Sequence, residues 1–166
     1  MDIFQFALEK EKFSENFYHQ LSQQTNNKGL QNICTMLADE EARHYQIIQE
    51  MQSQSLKEVV ETPILKNAQD IFTAMRQSAE MFDLEISGLE LFEKARDIEK
   101  QSEKFYLEKS QEANDTYQKT IFKQLANQEQ KHYILIDKIC DFVARPMWFL
   151  ENAEMYRFDD YAEGTL

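Results

Sequence analysis

The sequence A-D-E-E-A-R-H-Y, residues 38–45, returns 88 positions later as A-N-Q-E-Q-K-H-Y, residues 126–133. Both copies place a glutamate three residues before a histidine: Glu41 and His44, then Glu129 and His132. Side chains three residues apart on an α-helix are neighbours on one face, so each pair can reach a common centre. Apolar residues at helical spacing flank both pairs, which predicts two long helices whose polar pairs lie within the apolar stripe.

The same offset relates the segments that precede these two stretches. The pattern E-K-x-S-E-x-F-Y occurs at residues 11–18 and again at residues 99–106. The chain is therefore a duplicated helical hairpin, with no gap between equivalent positions of the copies. Glu11 and Glu99 occupy the apolar stripe of their helices and are expected to point inward, like the two E-x-x-H pairs.

Apolar periodicity predicts four long helices, separated by polar loops, at residues 3–24, 30–54, 87–112 and 116–144. The connection at residues 55–86 has about 30 residues, enough to return along a bundle whose helices are roughly 38 Å long. We expect an all-α, ferritin-like four-helix bundle over residues 1–145, built from two homologous hairpins joined by this long crossover. Residues 146–166 are expected to form an amphipathic C-terminal tail with a short helix, because Pro146 ends the fourth long helix.

Composition narrows the class of protein. Three glycines and two prolines among 166 residues are too few for a many-stranded sandwich or barrel. A formal charge of -12 opposes binding to nucleic acid or to an anionic membrane, and no apolar run is long enough to cross a bilayer. The two cysteines, Cys34 and Cys140, cannot form a four-thiolate centre and are expected to be reduced and half-buried. Without a secretory signal at the start, the cytoplasm is the expected location.

Four inward glutamates would repel one another in a dry core unless a positive charge lay among them. The nearby basic residues lie off the apolar stripes, on faces expected to be solvated: Lys10, Lys12, Arg43, Lys100 and Lys131. Two divalent cations would balance four carboxylates beside two neutral imidazoles. Carboxylate oxygens with one imidazole per metal suit Fe(II) or Mn(II), so we expect two irons, with manganese or zinc as possible substitutes.

Over nearly its whole length the chain resembles ferritin-like di-iron proteins of the rubrerythrin type. The resemblance is carried by the repeated motifs above and by the tail R-P-M-W-F-L-E-N-A-E-M-Y at residues 145–156. It implies six metal ligands, with Glu41 and Glu129 bridging the irons: Glu11, Glu41, His44, Glu99, Glu129 and His132. The four glutamates would also be the catalytic groups, shifting between bridging and terminal modes.

The resemblance implies reduction of hydrogen peroxide at a diferrous site, with oxidation by dioxygen or of ferrous iron as related activities. We expect the chain to form a homodimer. Rubrerythrins proper carry a four-cysteine iron centre after the bundle, and none follows Asp141 here. Electrons are therefore expected from a separate rubredoxin or reductase. Many rubrerythrins also have a seventh ligand, a further carboxylate, near the ligand of the third helix. Its place is open here, because Ser102 lies one turn beyond Glu99, and Glu103, four residues beyond it, is either this ligand or a solvated residue.

Alternatives remain at the level of the residues and of the function. Tyr18 and Tyr106 are either core aromatics or donors of hydrogen bonds to ligand carboxylates. The chain could be an iron-handling ferroxidase, which would need a shell of many subunits to store mineral. It could also be a metal-free helical module for protein contacts, which would bind less than one iron per chain.

Overall fold

The computed structural model describes residues 2–78 and 88–158. Within these ranges the chain forms six α-helices and no strand: α1 Ile3–Gln24, α2 Lys28–Gln52, α3 Ile64–Gln77, α4 Leu89–Glu112, α5 Thr116–Ala144 and α6 Pro146–Glu151. The all-α prediction is confirmed. The predicted ends of the four long helices lie within two residues of the observed ends, although the predicted start at Ser87 lies outside the described residues.

Polar residues cap the starts of the long helices. The side chains of Asp2, Asn27 and Asp115 accept hydrogen bonds from backbone N–H groups in the first turns of α1, α2 and α5. These bonds satisfy donors that a helix start otherwise leaves unpaired. Gly88 precedes α4 with a φ of 95°, in the left-handed region that glycine adopts without steric cost. Each long helix therefore begins at a residue suited to that place.

The four long helices form two antiparallel hairpins, α1 with α2 and α4 with α5. Each helix passes from one apolar cluster of the core to another. The first cluster includes Leu21, Leu37, Phe92, Ala95, Ile136 and Phe142. The second includes Ala7, Ile48, Met51, Tyr106, Phe122 and Leu125. On every helix a buried glutamate lies between the residues of the two clusters, so a polar layer separates the two halves of the core.

The connection between the hairpins begins with an extended segment and continues as a helix. Residues 55–63 form no helix, and α3 then packs against α2, α5 and α6. Leu65, Ala68 and Phe72 form its buried face. This helix lies within the connection predicted at residues 55–86, of which residues 79–86 lie outside the described residues.

The segment after Pro146 closes one end of the bundle. Phe149 and Leu150 of α6 are fully buried, and the Phe149 ring centroid lies 5.0 Å from that of Phe72 on α3. Tyr156 adds a third ring, 5.7 Å from Phe72. The tail therefore packs against its own bundle through an aromatic cluster. Its predicted residues 159–166 lie outside the described residues, and the division into two regions at position 145 stays a prediction.

Two expectations about individual side chains are wrong. Lys131 is 8% exposed instead of solvated, because its ammonium forms an ion pair with Glu61 of the crossover segment. Cys34 and Cys140 are both free and buried, not half-buried. Burial raises the pKa of the Cys34 thiol to about 12, which keeps it in the protonated, unreactive form.

In the part of the chain that the structure describes, no helix is both long enough and apolar enough to span a membrane.

Candidate metal centre

The polar layer contains all six side chains that the sequence singles out as ligands. Glu11 comes from α1, Glu99 from α4, and the two E-x-x-H pairs come from α2 and α5. Each of the four carboxylates is 1% exposed, and both imidazoles are 0% exposed. The helical period places them inward, since each lies in the buried stripe of an amphipathic helix. The structure thus brings the predicted residues together in one water-excluded layer.

The two histidine rings stack almost in parallel, with centroids 5.4 Å apart and planes inclined by 10°. His44 Nδ1 lies 3.1 Å from Glu129 Oε1, across the bundle, and 3.5 Å from Glu41 Oε2 on its own helix. Glu11 Oε2 is the third neighbour, at 3.6 Å. This nitrogen therefore faces three carboxylates from three different helices.

His132 repeats the arrangement in the second hairpin. Its Nδ1 lies 3.2 Å from Glu41 Oε1, 3.3 Å from Glu129 Oε2 and 3.6 Å from Glu99 Oε1. Glu41 and Glu129 thus each direct one oxygen toward His44 and the other toward His132. A carboxylate that presents its two oxygens to two neighbouring centres is suited to bridging two metal ions.

Among the described residues, the potential ligand atoms fall into three overlapping groups, in each of which the atoms lie within 4.8 Å of one another. The smallest group consists of Glu40 and the two histidines, His44 and His132. We call the two four-residue groups position A and position B. Position A consists of Glu11, Glu41, His44 and Glu129, and position B consists of Glu41, Glu99, Glu129 and His132. Positions A and B share the two glutamates that are expected to bridge.

Several atoms of this layer are buried without a hydrogen-bond partner among the described residues. They are the Oε2 atoms of Glu11, Glu41, Glu99 and Glu129, and Nε2 of His132. A buried charged or polar atom left unpaired costs on the order of 1–3 kcal/mol or more. Four unpaired carboxylate oxygens directed into one small layer fit the needs of hard divalent cations, so the donor set is chemically suited to a two-metal centre.

Each of the two terminal glutamates is held by a tyrosine from the opposite hairpin. The Tyr18 hydroxyl on α1 donates to Glu99 on α4, and the Tyr106 hydroxyl on α4 donates to Glu11 on α1. Both tyrosines are buried. Burial, followed by the charge of the accepting glutamate, raises the pKa of both phenols well above the ordinary value, so both remain donors. The contacts favour the second of the two interpretations given for these tyrosines.

Crowding of the carboxylates shifts their affinities for protons. Burial and the charge of Glu129 raise the pKa of Glu11 well above its ordinary value and that of Glu99 to about 8. Burial alone would lower the pKa of His44 and His132, but the surrounding carboxylates raise both well above the usual value. Without a metal, the layer therefore lowers its negative charge by binding protons.

Burial would raise the pKa of Glu129, yet the facing His44 imidazolium lowers it well below its ordinary value. Glu129 therefore remains the charged partner of both imidazoles. In this layer, the cationic rings occupy the place where positive charge is required.

Sequence reasoning missed two buried polar residues on the outer side of the histidines. His44 Nε2 lies 2.7 Å from Gln128 Oε1, so the ring N–H donates to a carboxamide. His132 Nε2 lies 3.8 Å from a carboxylate oxygen, Glu40 Oε2. Both partners are 5% exposed. Glu40 and Gln128 occupy equivalent positions of the repeat, directly before Glu41 and Glu129. Comparison of the two copies at this position could have identified them as polar neighbours of the ligands.

The crossover segment contacts Glu40 from outside. Thr62 donates a hydrogen bond to Glu40 Oε1, and Arg43 Nη1 lies 3.2 Å from the same oxygen. Burial would raise the pKa of Glu40, but His132, Thr62 and Arg43 lower it below the ordinary value. The neighbouring pair of Glu61 and Lys131 attaches the same segment to α5. Residues 61 and 62 therefore tie the crossover to the outer side of the polar layer.

The structure also places the two candidates for a seventh ligand, which would be a further carboxylate. Glu103 pairs with Lys100 on its own helix, at 3.4 Å, and belongs to neither metal position. Its repeat equivalent Glu15 pairs in the same way with Lys12, at 3.2 Å. Ser102 is buried but carries a hydroxyl. Positions A and B are therefore built from four carboxylates in total.

A protein-family model described as rubrerythrin matches residues 2–140. This span contains α1, α2, α4, α5 up to residue 140, and every residue of positions A and B. Comparisons with curated proteins and with solved structures gave no match.

Proposed function

The chain belongs to the rubrerythrin family, and on this basis we propose that it is a non-haem di-iron oxidoreductase that reduces hydrogen peroxide. The observation that carries the proposal is the geometry of the two shared glutamates. Glu41 and Glu129 each direct one oxygen to either side of the layer, where a histidine nitrogen and a further glutamate complete a four-residue position. Such a set, with two carboxylates common to both positions, is typical of two-metal centres in helical bundles.

We assign one ion to each position. Glu11 and His44 would be the terminal ligands at position A, and Glu99 and His132 those at position B. When bound, two Fe(II) ions would supply the two electrons that reduce peroxide and would act as Lewis acids toward its oxygens.

The chain's own residues provide the surroundings that this chemistry needs. The two apolar clusters exclude water on both sides of the polar layer, which strengthens electrostatic interactions within it. Tyr18 and Tyr106 orient the terminal carboxylates through their hydroxyl groups.

The remaining parts of the assignment concern partners. We propose hydrogen peroxide as the oxidant, with dioxygen as the alternative, and an external donor such as a rubredoxin or a reductase as the source of electrons. The described ranges contain two buried cysteines and therefore no four-thiolate centre that could relay electrons. We further propose that the protein acts in the cytoplasm as a homodimer.

The decisive experiment is anaerobic loading of the metal-free chain with Fe(II), followed by elemental analysis, an optical spectrum and titration with hydrogen peroxide. We expect about two irons per chain and a spectral change that is complete at one peroxide per two irons. Less than one bound iron per chain would contradict the di-iron assignment. Two bound irons that react with dioxygen but not with peroxide would contradict the choice of oxidant.

Size-exclusion chromatography of the same sample separates the proposed enzyme from an iron-storage protein. A dimer supports the enzyme, because mineral storage requires a closed shell of many subunits. A large shell that takes up many irons per chain would favour iron handling instead.

A further inference from the structure

The two proposed metal positions have the same inner residues and differ outside them. Each consists of one terminal glutamate, one histidine that faces the site through Nδ1, and the two shared glutamates. The tyrosine bonds to the terminal glutamates are also equivalent in the two halves. An inner set this symmetric provides no reason for one position to bind a cation more tightly than the other.

The outer nitrogens of the histidines break this symmetry. His44, at position A, donates from Nε2 to the neutral carboxamide of Gln128. His132, at position B, directs Nε2 toward the carboxylate of Glu40 at 3.8 Å, and this nitrogen has no hydrogen-bond partner among the described residues. Both histidines are fully buried, so water does not weaken the difference between an amide and a carboxylate.

Glu40 is held in place by its other oxygen. Its Oε1 accepts from Thr62 and lies 3.2 Å from Arg43, while Oε2 remains directed at His132. The cations at equivalent positions of the repeat, Arg43 and Lys131, each have a carboxylate partner. Arg43 pairs with Oε1 of Glu40 itself, whereas Lys131 pairs with Glu61 of the crossover. Each half therefore contains one such ion pair, and the halves differ in the group that faces the histidine, Glu40 Oε2 or the carboxamide of Gln128.

The chemical consequence follows from how a histidine binds a metal through one nitrogen. A carboxylate facing the other N–H draws the proton toward itself, which increases electron density at the ligating nitrogen more than an amide does. The stronger ligand binds a divalent cation more tightly, and replacing such an outer partner typically costs about 10- to 100-fold in affinity.

We propose that Glu40 and Gln128 make the two metal positions unequal, so that the first divalent cation to bind occupies position B. Glu40 is then a positioning residue that acts through His132. This inference rests on the proposed function, because it requires the six residues of positions A and B to be metal ligands.

Zinc is the probe that tests it, since Zn(II) undergoes no redox change. Crystals of the full chain are grown with one equivalent of Zn(II), and anomalous scattering at the zinc edge locates the ion. Calorimetric titration of the metal-free protein measures the affinity of each step. Unequal affinities of the two binding steps would not by themselves support the proposal, because two neighbouring dications repel each other even in a symmetric site.

Three variants provide the comparison: Glu40→Gln, Gln128→Glu, and the double exchange of the two residues. In the wild type we expect the first zinc at position B. Glu40→Gln should weaken the first step by about 10-fold and distribute the first zinc over both positions. The double exchange should place the first zinc at position A, which a purely structural effect of Glu40 would not do. Glu108→Gln, a nearly isosteric change at an exposed side chain of α4, is the matched control and should behave like the wild type.

The possible results separate this inference from the function on which it rests. Two bound zincs with the first at position A, or equally distributed, would overturn the inference and leave the di-metal assignment intact. A double exchange that leaves the first zinc at position B would overturn it as well. Binding of less than one zinc per wild-type chain would overturn both.

Discussion

The hydroxyl of Tyr18, on α1, donates a hydrogen bond to the carboxylate of Glu99, on α4. The two residues belong to different halves of the duplicated chain, and Tyr106 and Glu11 form the reciprocal bond. Each hairpin therefore supplies a terminal glutamate and also the tyrosine that orients the terminal glutamate of the other hairpin. The two bonds link the halves at the level of the candidate metal centre.

Removing one of these hydroxyls should weaken metal binding without unfolding the bundle. For Tyr18→Phe we expect the affinity for Zn(II) to fall by about 10-fold, because Glu99 loses the donor that orients it. Titration of the metal-free variant with zinc measures the change. Tyr45→Phe is the control, since the Tyr45 ring lies beside Lys12 on the flank of the bundle, at 6.0 Å. Equal affinities of the two variants would count against an orienting role for Tyr18.

Removing a terminal carboxylate should have a larger effect. Glu11→Ala and Glu99→Ala are expected to lower bound iron from about two per chain to one or fewer, and to abolish peroxide turnover. Both chains should stay helical, since loss of a buried carboxylate also lowers repulsion in the metal-free layer. Elemental analysis measures the bound iron and circular dichroism the helix content, with Glu108→Ala as a surface control on the same helix as Glu99. Unchanged iron in both variants would reject the ligand assignment.

The stability of the metal-free protein should decrease as the pH rises. Folding raises the pKa of Glu99 from 4.5 to about 8, so over this range the folded chain keeps a proton that the unfolded chain has released. The free energy of unfolding therefore decreases as the pH rises from 4.5 to about 8. The raised pKa values of Glu11 and both histidines act in the same direction. The lowered pKa of Glu129 changes the free energy of unfolding only below pH 4.5.

Thermal denaturation in the presence of a chelator, from pH 5 to pH 8.5, measures this slope. Glu99→Gln serves as the comparison, because its side chain has no titrating proton, and its melting temperature should change less with pH. A wild-type melting temperature that rises across this interval would be inconsistent with protons held in the polar layer.

Metal binding should release protons, because ligands coordinate in their deprotonated forms. A pKa of about 8 leaves a proton on Glu99 at neutral pH, and the raised pKa values of Glu11 and of both histidines favour their protonated forms. We expect up to about four protons per chain to be displaced by two zinc ions, and the apparent affinity to increase with pH. Calorimetry in buffers of different ionisation enthalpy counts the protons. Identical binding enthalpies in all buffers would show that none is released.

The aromatic contacts at the tail end of the bundle predict a large contribution to stability. Phe72 is fully buried and touches the rings of Phe142, Phe149 and Tyr156. Phe72→Ala should lower the free energy of unfolding by about 3–5 kcal/mol, because it leaves a cavity among these rings. Urea denaturation measures the change. Phe13→Ala, at a side chain that is 55% exposed, should cost far less, and a similar loss for both would contradict the packing described.

Much of the fold and of the candidate site follows from local patterns. The helical period identifies which residues of one helix face inward, and the repeat shows that Glu11, Glu41 and His44 have counterparts in the second half. Since both kinds of pattern are read along a single segment, the helix bounds and the six inward side chains could be predicted without knowing how the helices pack.

The contacts between distant segments could not be obtained in this way. The helical pattern predicts a solvated Lys131 and does not show that Lys131 meets Glu61 or that Glu40 faces His132. These pairs depend on the relative rotation of packed helices and on the path of the crossover, which no short-range period contains. The six inward side chains are thus a property of the sequence, and so is the difference between Glu40 and Gln128 at equivalent positions of the repeat. Packing decides which histidine each of these two residues faces.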